Sequence, residues 1–145
     1  MKKVLSVLLV VLFLVSSCES DEPRVEPETY WYVTSITVRE NEWQLVGRPG
    51  DLNSYYRAYK PLKQLTRTVY EEGAVLAYIE TDAGVKNTMP YVLHKGEYNG
   101  YQDLLWTETY DFDFTTGEIG FYITYSDFNT YIKPGTEKFH VVLIW

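Results

Sequence analysis

Asp111 and Asp113 are the two carboxylates best placed to act together. Spaced i, i+2 on a strand, they point to one face with β-carbons roughly 7 Å apart. Glycosidases use two carboxylates at about 5–9 Å, so the spacing permits that role. The plainer expectation is the wet face of an amphipathic strand. Asp127 could join them around calcium, but no Asp-x-Asp-x-Asp-Gly loop is present. Glu108 is out of place, because it shares parity with Trp106 and Tyr110, where an apolar side chain is expected. Either it marks a strand end or bulge, or it is a buried carboxylate of raised pKa in a pocket. The chain has no Gly-x-Ser-x-Gly, no phosphate-cradling glycine loop and no cysteine after Cys18. His94 and His140 lack a second histidine or a carboxylate at metal-ligand spacing. Both are expected at surface or edge positions of strands, and neither a metal nor a cofactor is expected.

The tyrosines suggest binding rather than catalysis. The chain holds 14 Tyr, 4 Trp and 6 Phe. Tyr55, Tyr56 and Tyr59 fall in a predicted polar connection, and Tyr98 and Tyr101 in a second. Loop aromatics offer flat contact area at low entropic cost. Their faces suit sugar rings, while Asn53, Asn99 and Gln102 suit hydroxyls. The competing expectation is that these rings fold back and cap an incompletely covered core.

The elements that would carry these residues are mostly strands. Residues 30–38 alternate with Tyr32, Thr34, Ile36 and Val38 on one side, and residues 43–46 read as a second strand. Gly47-Arg48-Pro49-Gly50-Asp51 is a turn. Residues 61–72 are the one helix candidate, with Pro61 at its start, Gly73 past its end and Leu62, Leu65, Thr66 and Val69 on one face. Lys60 and Lys63 at its start and Glu71-Glu72 at its end oppose the helix dipole. Residues 75–80 read as a strand, and a return strand runs toward His94. Residues 104–114 alternate most clearly, and after the turn at Thr115-Thr116-Gly117 the returning strand carries Ile119, Phe121, Ile123 and Tyr125. The final segment, apolar on both faces from Phe139 to Trp145, reads as a central strand. About seven short strands with frequent turns predict a single antiparallel β-sandwich or barrel with one short helix.

Composition bounds the partners. Residues 29–145 hold fifteen acids against ten bases. An acidic domain repels phosphate backbones, which argues against nucleic acid. A domain of this length is one unit. With a single cysteine, no intramolecular disulfide can form, so packing must hold the fold.

The first residues carry a different signal. Met1-Lys2-Lys3 is basic, residues 4–15 are apolar except for Ser6, and Val15-Ser16-Ser17-Cys18 follows. The apolar run is shorter than the roughly 20 residues a membrane span needs. This leader resembles a bacterial lipoprotein signal peptide, whose lipobox ends in a cysteine that is lipidated and becomes residue one. The resemblance implies removal of residues 1–17, lipid on Cys18 and attachment to a membrane. Residues 19–28 then carry five acids, one arginine and two prolines, the composition of a disordered, self-repelling tether. Acids directly after the cysteine resemble the surface-export signal of Bacteroidota lipoproteins. That resemblance implies exposure on the outer membrane surface, with residues 29–145 as the displayed domain.

Three functions follow as expectations. The first is a lipid-anchored, non-enzymatic binding module for a glycan or an envelope protein, using the tyrosines. The second is an accessory subunit of an envelope complex. The third is a glycan-processing enzyme using Asp111, Asp113 or Glu108.

Overall fold

Alternation of large apolar and polar side chains makes strands wherever one face must be buried and the other wetted. The computed structural model describes residues 28–145. Cys18, the leader and the tether up to residue 27 lie outside the described residues. Nine strands occur among the described residues: β1 (Trp31–Val38), β2 (Gln44–Val46), β3 (Tyr55–Pro61), β4 (Ala74–Thr81), β5 (Val85–Thr88), β6 (Tyr91–Tyr98), β7 (Asp103–Thr115), β8 (Glu118–Tyr125) and β9 (Glu137–Ile144). They form two antiparallel sheets, β1-β9-β4-β5 and β2-β3-β8-β7-β6. The architecture is a sandwich and not a closed barrel.

The core lies between the sheets. Phe139 of β9 stacks on Phe121 of β8 with ring centroids 4.0 Å apart, and Trp43 meets Phe139 edge-on. Val38, Ile79, Ile119, Ile123, Val141 and Leu143 are buried around them. The Trp43 indole N–H donates to the Gly135 carbonyl at 2.9 Å, so even this large ring leaves no orphan donor. As its two apolar faces imply, β9 is central, paired with β1 on one side and β4 on the other.

Several expectations need correction. Tyr55, Tyr56 and Tyr59 lie on strand β3, not in a loop, because the segment alternates and β2 and β8 flank it. Tyr56 and Ala58 point inward and are buried. β6 runs through Gly96 to Tyr98, so Tyr98 is also a strand residue and only Tyr101 lies in the connection. The helix is short: α1 spans Arg67–Glu72, with Thr66 Oγ1 accepting from the Val69 N–H as its N-cap. Pro61 ends β3 instead of starting the helix. Leu62 and Leu65 bury themselves from a turn, which is clamped by Leu62 N–H donating to the Gly117 carbonyl and Gly117 N–H donating to the Leu65 carbonyl. Gly117 needs a φ of 84° there, which glycine adopts freely. His140 is neither exposed nor on an edge strand, although it stands on the outer face of its sheet. It is buried on central β9, where Ser35 Oγ lies 2.9 Å from Nδ1 and Glu80 bonds Nε2.

Candidate functional site

The two sheets stay in contact along most of their length and part at one end. Inward positions of β9 read Glu137, Phe139, Val141 and Leu143, and those of β7 read Trp106, Glu108, Tyr110, Phe112 and Phe114. Where the inward residues are Glu137, Glu108, Trp106 and Tyr125, the gap holds a half-open cleft of about 510 Å³. Lys95 on β6 and Asp127, Lys133 and Pro134 of the β8–β9 connection complete its walls.

That connection is pinned. Thr130 is fully buried, and its hydroxyl meets Ser54 Oγ at 2.9 Å and accepts from Gly50 N–H at 3.2 Å. The Tyr56 hydroxyl donates to the Thr130 carbonyl at 2.8 Å. Phe128 sits at a φ of 54°, a left-handed conformation uncommon for an aromatic residue, inside a tight turn bonded to Tyr125. The wall over the cleft is therefore preformed.

Glu108 is the centre of the polar side. Its carboxylate accepts from the Trp106 indole at 3.5 Å and the Tyr110 hydroxyl at 3.2 Å, with Lys95 Nζ 3.8 Å away. It lies mid-strand in regular register, opposite Leu93 and Tyr125, so it marks neither a bulge nor a strand end. Glu137 has no side-chain hydrogen bond among the described residues. Burial first, and the nearby Glu108 charge second, push its carboxyl above the usual range, against a lowering by Lys95. Burial also pushes the Tyr110 and Tyr125 hydroxyls up, with added repulsion from the acids, so both remain protonated donors. The cleft thus offers the Tyr125 phenol, carboxylate acceptors, a lysine and the Trp106 and Tyr125 rings, while the Trp106 and Tyr110 donors are committed to Glu108.

The other expected residues lie elsewhere. Tyr55, Tyr59, Asp111 and Asp113 come together on the outer face of the five-stranded sheet, around Tyr122. The Tyr122 hydroxyl bonds Asp113 at 2.5 Å and Tyr59 at 3.2 Å, and Arg57 lies 5.3 Å from the Tyr59 ring centre. Gly120 leaves room for this cluster, since a β-carbon there would stand 2.5 Å from Asp113 Oδ1. The Tyr55 and Tyr59 rings meet Tyr122 at 50° and 88°, so they form no flat platform. Tyr98 and Tyr101 belong to the β6–β7 hairpin. Two strands separate β3 from β6, about 14 Å at the usual strand spacing. The two tyrosine groups are therefore not one surface.

Glu137, Trp106, Lys95 and Tyr125 enter the site without having been singled out from sequence. Glu137 carried a usable signal, since it has the inward parity of Phe139 and Val141, the same anomaly that marks Glu108. Among the described residues, no group of three or more His, Cys, Asp or Glu side chains could hold a metal ion. No family model, curated protein or solved structure matches the chain.

Proposed function

We propose that the protein is a lipid-anchored cell-envelope module that binds a glycan in the cleft between Glu108 and Glu137. The observation that carries this reading is the convergence of three aromatic side chains with carboxylates and protonated hydroxyls in one preformed concavity. Sugars present apolar ring faces and hydroxyl edges at once. Binding sites that combine aromatic walls with a few fixed polar groups match both. The lipobox and acidic tether support the envelope location. The exposed tyrosine clusters become secondary contacts, because the Tyr55 and Tyr59 rings form no flat platform and Tyr98 and Tyr101 stand exposed on a hairpin.

The test is a glycan array probed with the chain freed of residues 1–17. Saturable binding lost in Trp106→Ala and retained in Tyr98→Ala supports the cleft as the site. Binding that survives Trp106→Ala refutes it, and a blank array moves the reading to an envelope protein partner. Mass spectrometry of the mature N-terminus tests the anchor separately, and an unmodified Cys18 would refute it.

A second reading has its own observation. Glu137 holds its proton to higher pH than an ordinary glutamate and faces Glu108 across the cleft. Two carboxyl groups in unlike environments are the arrangement of a general acid and its partner in glycosidic hydrolysis. Release of aglycone from aryl glycosides, abolished in Glu137→Gln, would establish turnover. No release across a substrate panel would leave binding as the function.

A further inference from the structure

The outer face of the four-stranded sheet changes character along its strands. Register places Trp31 beside Ile144 beside Ala74, and then Val33 beside Val142 beside Leu76. The next two outward rows are Ser35, His140 and Tyr78, and then Thr37, Lys138 and Glu80. The first two rows are wholly apolar. The last two hold a hydrogen-bonded network in which Glu80 joins His140 and Lys138. Trp31 is 71% exposed, Val33 47% and Leu76 44%. Tyr30 and Trp145, one residue beyond the Trp31–Ile144 row and of the opposite, inward parity, stack on each other and exchange both backbone hydrogen bonds.

The apolar rows lie at the end where residues 28–30 lead into β1. The cleft lies at the opposite end, because Glu137 pairs with Val38 while Ile144 pairs with Trp31. Seven residue steps along β1 separate the two ends, about 24 Å. On this face the apolar side chains are thus the ones nearest residues 28–30, and polarity rises with distance from them. Tryptophan and tyrosine favour the boundary between headgroups and acyl chains. The domain is acidic, so charge does not draw it to a phosphate surface. Contact there would be apolar and insensitive to salt.

We propose that the Trp31–Ile144 and Val33–Val142–Leu76 rows form a membrane-contacting face that seats the tethered end on the bilayer. This rests on the lipid-anchor reading above. The tether holds the face at high local concentration near the bilayer, so a weak interfacial affinity is sufficient. In that pose the cleft stands at the far end, open to solvent.

The test imposes the anchor chemically, so it does not depend on lipobox processing. Cys18 is the only thiol, and the chain from residue 18 can be coupled through it to a maleimide lipid in phosphatidylcholine vesicles. The buried core runs from Val38 to Leu143 and is retained whole in that chain. With brominated acyl chains in the vesicles, tryptophan emission should be quenched at low and high salt alike. The quenching should shrink in Trp31→Phe and be lost in Val33→Glu with Leu76→Glu. The milder pair Val33→Thr with Leu76→Ser should weaken it if the charged pair misfolds. Unquenched emission from the coupled chain overturns the proposal, as does quenching unchanged in these variants. So does an uncoupled chain that sediments as a dimer and is dissociated by the same substitutions, since the rows would then face a second copy.

Discussion

The closed and open halves of the sandwich are built from the same strands. In the closed half, β8 and β9 meet through Phe121 and Phe139 and no space remains. Two residues along β9, the inward position passes to Glu137, and across from it β7 presents Glu108. The backbone alternation continues without a break while the chemistry of the inward side chain changes. A carboxylate on an inward position cannot be packed as Phe139 is, so the gap stays unfilled and open to solvent. The cleft is thus an interrupted core and requires no inserted loop or separate domain.

Substitutions should separate the halves. Phe139→Ala removes the central ring and should lower stability by about 3–5 kcal/mol in urea unfolding. Trp106→Ala should lower it by about 1 kcal/mol while removing ligand binding. Equal losses in the two variants would mean the halves are energetically one. Glu137→Leu converts an open-half position toward a closed one, and should add about 0.5–2 kcal/mol while abolishing binding. A destabilised Glu137→Leu would show that the carboxylate has a partner in the folded state.

The smallest effects are in pH dependence, and they have opposite signs for two carboxylates. The Glu137 carboxyl is raised above its ordinary value of 4.5. Its contribution is fully present below that pH and is lost as pH rises through the higher folded value. Glu137→Gln should therefore match the wild type in acid and exceed it in melting temperature near neutrality. The Glu80 carboxyl is lowered, first by His140 and then by Lys138. Its contribution is present above 4.5 and is lost as pH falls through the lower folded value. Glu80→Gln should melt below the wild type near neutrality and converge with it in acid.

The strands β1, β7, β8 and β9 were legible because large apolar residues alternate with polar ones over their length. β3 was not, because tyrosine suits either face. Tyr56 inward and Tyr55 outward look alike until the partners β2 and β8 are known. Its buried ring also makes Tyr56→Ala a core mutation and a poor test of binding. The helix start was misplaced because a turn and a short helix together set Leu62, Leu65 and Val69 at helical spacing. Glu108 was legible as a parity anomaly. Its partners were not, since Glu137, Lys95 and Trp106 meet only through pairing across two sheets.

The place of β9 between β1 and β4 has a consequence for the order of assembly. β1 is bonded to β9 alone in its sheet, and β4 reaches β1 only through it. The four-stranded sheet therefore cannot form until residues 137–144 have been made. A chain made from its N-terminus would keep this sheet open through synthesis and close it when residues 137–144 arrive.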